Sequence, residues 1–216
     1  MPKCLIEDTK KRRVIGTNGP RRHELKPFSN IDSSVPQTVV DEILSIASNY
    51  TENDLGGDSY QISQHCNLET AFKATGEYRQ ILLQQFEGND IIDETGYSKW
   101  RTDIDSFKIQ EYFSKTFGKT YRARISVMPP GHDLNWHIDT DTSVLCRVQI
   151  AAQTEGSEFQ FKTKEGKSKL IMKPGNAYFV NTGWTHRVIN TDDYLRIVLI
   201  AGVMFDDIPN NDSIRI

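Results

Sequence analysis

The chain has 216 residues, 37% of them hydrophobic, and a formal net charge of −3: enough length for one domain with a proper core, and no charge excess that would call for a nucleic-acid partner. No stretch approaches the roughly 18 apolar residues of a membrane span, and the N-terminus lacks the apolar core of a signal peptide. Cys4, Cys66 and Cys146 are scattered and form no CxxC pair, so neither a disulfide framework nor a cysteine zinc site is expected, and a reducing, cytoplasmic setting fits best.

Residues 1–35 are polar and turn-rich and read as extended, with the basic run Lys10-Lys11-Arg12-Arg13 as a solvated terminal patch. "SVPQTVVDEILSIASNY" predicts a helix, with Ser34 as N-cap and Val39, Val40, Ile43, Leu44 and Ile46 as its apolar stripe. After the break at "NDLGGDS", the pattern of "NLETAFKATGEYRQILLQQFEG" predicts a second helix, with Glu69 three residues after Asn67 and Gly88 just past its end. "SFKIQEYFSKTFG" predicts a third.

Beyond Gly118 the texture becomes β-prone. "TYRARISVM", "SVLCRVQIAAQ", "SEFQFKTKEG", "SKLIMK", "AYFVNTG", "HRVIN" and "YLRIVLIAGVMF" are short runs separated by Pro and Gly turns. Seven or eight strands at this spacing indicate a double-sheet jelly roll or barrel. The expected fold class is therefore α+β: an extended and helical region at 1–118 packed on one sheet of a β core at 119–216, in one structural unit.

Several polar residues stand where a core should be. In "NWHIDTDTS", His137, Asp139 and Asp141 are spaced i, i+2, i+4, so on a strand all three would project from one face. A polar outer face or a metal site would each explain that. His186 follows 49 residues after His137, at the start of a later strand. Two histidines and one carboxylate can occupy one face of an octahedral metal and leave three positions open, an arrangement suited to non-haem Fe(II) and O2 chemistry. In "LCRVQI", Leu145, Arg147 and Gln149 share one face while Cys146, Val148 and Ile150 share the other, and Arg196 lies on the face of Val198 and Ile200. Buried arginines are costly unless an anion meets their forks. Either both point to solvent or an anionic ligand enters the sandwich. His23, His65 and His132 have no comparable context.

At these residues the chain resembles the aspartyl/asparaginyl β-hydroxylase family of Fe(II)- and 2-oxoglutarate-dependent dioxygenases, which includes proline hydroxylase-like members. The resemblance is carried by "ISVMPPGHDLNWHIDTD", "LCRVQI" and "KPGNAYFVNTGWTHRVINTDDYLRIVLI". It implies a cupin-like double-stranded β-helix with His137, Asp139 and His186 as iron ligands. It also implies Arg196 at the distal carboxylate of 2-oxoglutarate, and Arg147 and Ser126 as further contacts to that co-substrate. Trp184 and Asn190 fall where the family's pattern has them, whereas Gln149 replaces a histidine that many members carry. Asp141 competes with Asp139 on the same face. Asp139 is preferred, because HxD matches the family spacing and a residue four positions on lies roughly 13 Å along an extended strand.

The activity implied is hydroxylation of an amino-acid, peptide Asp/Asn or other small aliphatic substrate, with O2 consumed and 2-oxoglutarate converted to succinate and CO2. A cupin-like metal enzyme not using 2-oxoglutarate and a non-catalytic β-sandwich binding module are the alternatives. A small-molecule or peptide partner is expected, with neither nucleic acid nor membrane; oligomeric state is not legible. Within 1–118, Trp100 and Arg101 are a candidate substrate contact, against the plainer reading of Trp100 as core and Arg101 as surface.

Overall fold

The period-two runs after Gly118 become strands divided between two sheets. A computed structural model describes residues 19–49, 78–87, 94–139 and 141–216. In chain order the strands are β1 (Phe28–Asp32), β2 (Arg79–Leu82), β3 (Gln84–Phe86), β4 (Tyr97–Trp100), β5 (Thr120–Met128) and β6 (Asp133–His137). There follow β7 (Cys146–Gln153), β8 (Glu158–Thr163), β9 (Gly166–Ile171), β10 (Ala177–Val180), β11 (Thr185–Ile189) and β12 (Arg196–Val203). The α-helices are α1 (Gln37–Asn49) and α2 (Phe107–Phe117). Among the described residues no helix is long and apolar enough to cross a membrane.

The larger sheet runs β1-β10-β7-β12-β5-β2 and the smaller β6-β11-β8-β9; β3 and β4 form a separate hairpin. The eight strands β5 to β12 are thus divided four and four, with antiparallel neighbours that are mostly non-consecutive in sequence. That is the double-stranded β-helix of a cupin-like jelly roll, built into an α+β fold.

Alternation along the strands sorts two apolar layers. On the outer face of the larger sheet, Ala123, Ile125 and Val127 of β5, Cys146, Val148 and Ile150 of β7, and Ile197, Leu199 and Ala201 of β12 pack under the helices. The helices supply Val39, Val40, Ile43, Ile46 and Ala47 from α1 and Ile109, Tyr112, Phe113 and Phe117 from α2. Between the sheets lies a second cluster, including Met128, Ala151, Phe159, Phe161, Tyr178, Val180, Val188 and Val198. The Glu42 carboxylate of α1 accepts the Lys108 and Ile109 backbone N–H groups at 3.1 and 2.7 Å, placing a negative charge on the α2 N-terminus. Gly118, at φ 66°, ends α2 in the left-handed region where a Cβ would be strained.

Two expectations need correction. Ser34 is not the N-cap of α1, which starts at Gln37; its N–H and hydroxyl both bond the Asp32 carboxylate, at 2.8 and 3.0 Å, in a turn after β1. The helix expected over 67–88 is instead, from Arg79 on, the strands β2 and β3, while Asn67 and Glu69 lie outside the described residues. Pairing with β5, Gln80 opposite Ser126 and Leu82 opposite Arg124, overrides the local helical pattern. The region before Gly118 therefore lends the larger sheet both of its edges, β1 and β2, besides packing helices on it.

Phe113 is fully buried between α2 and the larger sheet. Phe113→Ala is expected to lower stability by about 3–5 kcal/mol, read from urea denaturation, because the cavity it leaves cannot collapse against a sheet.

Candidate active site

β6 and β11 pair so that His137 faces His186 directly, and the two imidazole centroids are 4.2 Å apart. Each ring is fixed by its own strand: His137 Nδ1 meets the Asn135 carbonyl at 2.5 Å and His186 Nδ1 the Trp184 carbonyl at 2.9 Å. An Nδ1–H donated to a carbonyl leaves the lone pair on Nε2, the atom a metal would use. Asp139 faces both, with 3.8 Å from its Oδ1 to His137 Nε2 and 3.8 Å from its Oδ2 to His186 Nε2. Those gaps are too long for hydrogen bonds. One ligand atom from each of the three residues lies within 4.8 Å of the others.

The strand geometry expected for HxD is corrected in one respect: β6 stops at His137, so Asp139 does not share its strand face. Asp139 is placed instead by its backbone N–H, which donates to the Thr182 carbonyl at 3.0 Å. Asp141 has turned away and accepts the Ser143 N–H at 3.0 Å, which separates it from the histidine pair. Burial pushes His186 below the ordinary imidazole range, so the ring is neutral near pH 7. Burial alone would raise the Asp139 carboxyl; the neighbouring His186, His137, Arg147 and Arg124 outweigh it and hold the carboxyl down. Phe159 and Phe161 pack beside His186, with ring centroids at 5.2 and 6.3 Å, as a dry wall.

A strap formed by residues 19–27 crosses the loops that carry these groups. Thr142 Oγ1 donates to the Pro20 carbonyl at 3.0 Å and Arg22 Nη1 to the Gly183 carbonyl at 2.8 Å. Asn181 binds the strap through its side chain to the Arg22 carbonyl, at 2.9 Å, and through its N–H to the Pro27 carbonyl, at 2.9 Å. Asn190, buried at the far end of β11, donates to the Met128 and Tyr194 carbonyls, both at 2.9 Å, and accepts the Ser157 hydroxyl at 2.8 Å. It is a knot between loops rather than a ligand group.

The arginines do point inward. Arg147 and Arg196 are 2% and 4% exposed, which removes the solvent-facing reading. Arg147 is paired with Glu94, whose other oxygen takes Arg122 Nη1 at 2.5 Å. Burial would raise the Glu94 carboxyl, but Arg147, Arg122 and Arg124 hold it far below the carboxylate range. Arg196 has no carboxylate partner among the described residues; its Nη2 lies 3.8 Å from the Met172 sulfur. Burial pulls it down to about 10, still a cation at neutral pH. Arg124, on the same face of β5 as Ser126, is similarly buried and bonds the Arg122 carbonyl at 3.3 Å.

Arg122 and Arg124 were within reach of the alternation argument applied to Arg147, since "TYRARISVM" puts both on the Ser126 face. Glu94 carried no comparable signal. Trp100 packs at the edge of the outer core and Arg101 pairs with Asp103, Nε to Oδ1 at 3.0 Å, contacts that support the plainer structural reading of this pair.

A cupin-like double-stranded β-helix with a His/Asp/His triad at one end of its sandwich is the class that this geometry defines. Residues 108–204, a little under half of the chain, match the aspartyl/asparaginyl β-hydroxylase family, as the resemblance implied, and this supports an oxygenase of the hydroxylase type. Solved structures that align with the chain include AviO1 from Streptomyces viridochromogenes Tue57, at 11% identity over 84% of this chain and 91% of that one, TM-score 0.48. The viral collagen prolyl hydroxylase of Paramecium Bursaria Chlorella virus-1, in a 2OG complex, aligns at 14% identity over 82% and 95%, TM-score 0.44. A cupin domain from Bordetella pertussis Tohama I aligns at 21% identity over 39% and 80%, TM-score 0.31. The comparison with curated proteins gives no match.

Glu94→Gln leaves two buried guanidiniums without their counter-charge and is expected to cost about 3–5 kcal/mol in chemical denaturation at pH 7. The folded carboxyl lies below its unfolded value, so its stabilisation is complete above the unfolded pKa of about 4.3 and fades as pH falls toward the folded one. The gap between wild type and variant should therefore hold constant from about pH 8 to 5 and narrow only in stronger acid.

Proposed function

We propose that the protein is an Fe(II)- and 2-oxoglutarate-dependent dioxygenase that hydroxylates an amino-acid, peptide Asp/Asn or other small aliphatic substrate. The observation that carries this reading is Arg196, a buried cation with no carboxylate partner among the described residues, lying in the same inter-sheet space as a His/Asp/His triad. The donor set suits iron: two imidazole nitrogens and one carboxylate, both rings locked in the ligating tautomer and the third donor too distant for a direct bond. His137, Asp139 and His186 are the residues that would hold the ion. Bound there with 2-oxoglutarate, it supplies the O2-dependent oxidation that yields succinate, CO2 and a hydroxylated product.

The chain's own work is orientation and exclusion of water. Arg196 offers a planar fork to the distal carboxylate of 2-oxoglutarate, and Ser126, 2% exposed, faces the same space. Phe159, Phe161 and Val188 keep that space dry on the side of the smaller sheet. Arg147, held by Glu94 and close enough to bias the Asp139 carboxyl, presents positive charge to the metal-proximal end rather than an uncommitted fork. The prime substrate approaches from the triad end, where Ile138 is exposed between His137 and Asp139.

Protein reconstituted anaerobically with Fe(II) should convert 2-oxoglutarate to succinate on admission of O2, slowly even without prime substrate. His186→Ala should abolish this and the binding of one metal equivalent by calorimetry; retained succinate formation would refute the triad. Arg196→Ala should raise the 2-oxoglutarate dissociation constant about 10- to 100-fold, since a charge-assisted pair is lost. Arg196→Lys should recover only part, being a point charge rather than a fork. Undiminished affinity in the alanine variant would remove Arg196 from the site.

A further inference from the structure

The end of the sandwich around Arg196 contains a buried imidazole with nothing to bond. His132 is 3% exposed, and neither ring nitrogen has a hydrogen-bond partner. Buried polar atoms in native structures are paired in the large majority of cases, so an orphaned ring at a ligand site asks for a ligand. Its backbone is pinned on both sides. Gly131 N–H donates to the Asn190 carbonyl and Asn190 N–H to the His132 carbonyl, both at 2.9 Å, which locks the backbone immediately ahead of β6. Two residues on, Leu134 packs into the inter-sheet cluster, and by strand alternation His132 faces the same way.

Tyr78 covers that imidazole. The two rings are stacked, with centroids 5.3 Å apart and planes 10° from parallel. The phenol oxygen is bonded by Ser126 Oγ at 3.2 Å and by Gln80 Nε2 at 2.7 Å. Gln80 pairs with Ser126 across β2 and β5, Ser126 lies opposite Val198 on β12, and Arg196 lies opposite Met128, one inward-facing step further along the same strands. Four side chains from four separate places in the chain thus converge: Tyr78 ahead of β2, Ser126 on β5, His132 ahead of β6 and Arg196 on β12. Tyr78 stands outside the stretch that matches the family.

We propose that Tyr78 and His132 are co-substrate-binding residues, enclosing the distal carboxylate of 2-oxoglutarate together with Ser126 and Arg196, with the imidazole donating one hydrogen bond to it. The proposal rests on the Fe(II)/2-oxoglutarate reading above. Burial pushes His132 below the ordinary imidazole range, so at neutral pH the ring is uncharged and carries one N–H. A neutral donor beside Arg196 adds a bond to an anion without adding a second buried positive charge.

The test is anaerobic calorimetry on Mn(II)-loaded protein with two probes, 2-oxoglutarate and 2-oxobutanoate. The second shares the chelating 2-oxo acid end and lacks the distal carboxylate. His132→Phe and Tyr78→Phe keep the ring stack and remove only the polar atoms. Each is expected to weaken 2-oxoglutarate about tenfold, the scale of one hydrogen bond to a charged group, while 2-oxobutanoate stays within about twofold of wild type. His132→Gln, which restores an N–H donor, should regain part of the loss, and thermal midpoints should stay close to wild type. Unchanged 2-oxoglutarate affinity in both phenylalanine variants, or equal losses for both probes, would overturn the assignment. Failure of wild-type protein to bind 2-oxoglutarate at all is a different result, and it would bring down the functional reading itself.

Discussion

Positive charge inside a β-sandwich is the constraint around which this molecule is arranged. Arg122, Arg124, Arg147 and Arg196 are all buried on or beside the inner face of the larger sheet. A guanidinium there is tolerable only against an anion, and the chain supplies one such anion in Glu94, held between Arg122 and Arg147. Glu94 comes from the short 3-10 turn before β4, outside the eight strands of the double-stranded β-helix. The core strands carry the cations and the region before them carries the counter-charge. Asp139 sits within the same field, so the ligand geometry and the charge balance of the interior are one problem.

The larger sheet keeps its two faces for different purposes. Its outer face is apolar and is sealed by α1 and α2, which supplies the burial that holds the domain together. Its inner face is thereby free to carry arginine, serine and glutamine, a composition that could not sustain a core alone. The backbone adjusts where the two demands meet. Arg122 adopts φ 51°, uncommon for a residue with a Cβ, and the neighbouring Ala123 N–H is taken by the Gln84 side chain at 2.8 Å. That departure turns Arg122 toward Glu94 and leaves the pairing of β5 with β12 intact on either side of the shift between Ile200 and Gly202.

What could be read from sequence follows from which interactions are local. Alternation in "LCRVQI" and "YLRIVLIAGV" set Arg147 and Arg196 on the face opposite the apolar one but left solvent and sandwich interior both open; the smaller sheet, packed on that face through non-local pairing, decides for the interior. HxD and the later histidine were visible as chemistry, and the third helix, α2, stands where its apolar period put it. The stretch that became β2 and β3 misled because its pattern is equally compatible with a helix, and pairing with the edge of β5 decides between the two. Ser34 misled because an aspartate two residues earlier captured it. Glu94 and Tyr78 were invisible for a simpler reason: the arginine partners of Glu94 lie 28 and 53 residues away, and Tyr78 meets Ser126 and His132 at separations of 48 and 54.

The strap across the triad bears on how the site comes into being. Its bonds join residues 122 and 161 positions apart, and the two histidines are themselves on strands that pair only within the finished smaller sheet. No single hairpin brings His137, Asp139 and His186 together in advance. Closing such long loops is entropically expensive and is repaid only late, so the donors assemble after the topology is complete. A metal ion held by the three would meet at most the local pair His137 and Asp139 before the strands have paired, and the full set of donors only in the native fold. Such an ion would bind the native state far more tightly than any earlier one, deepening that well and slowing escape from it more than it speeds arrival.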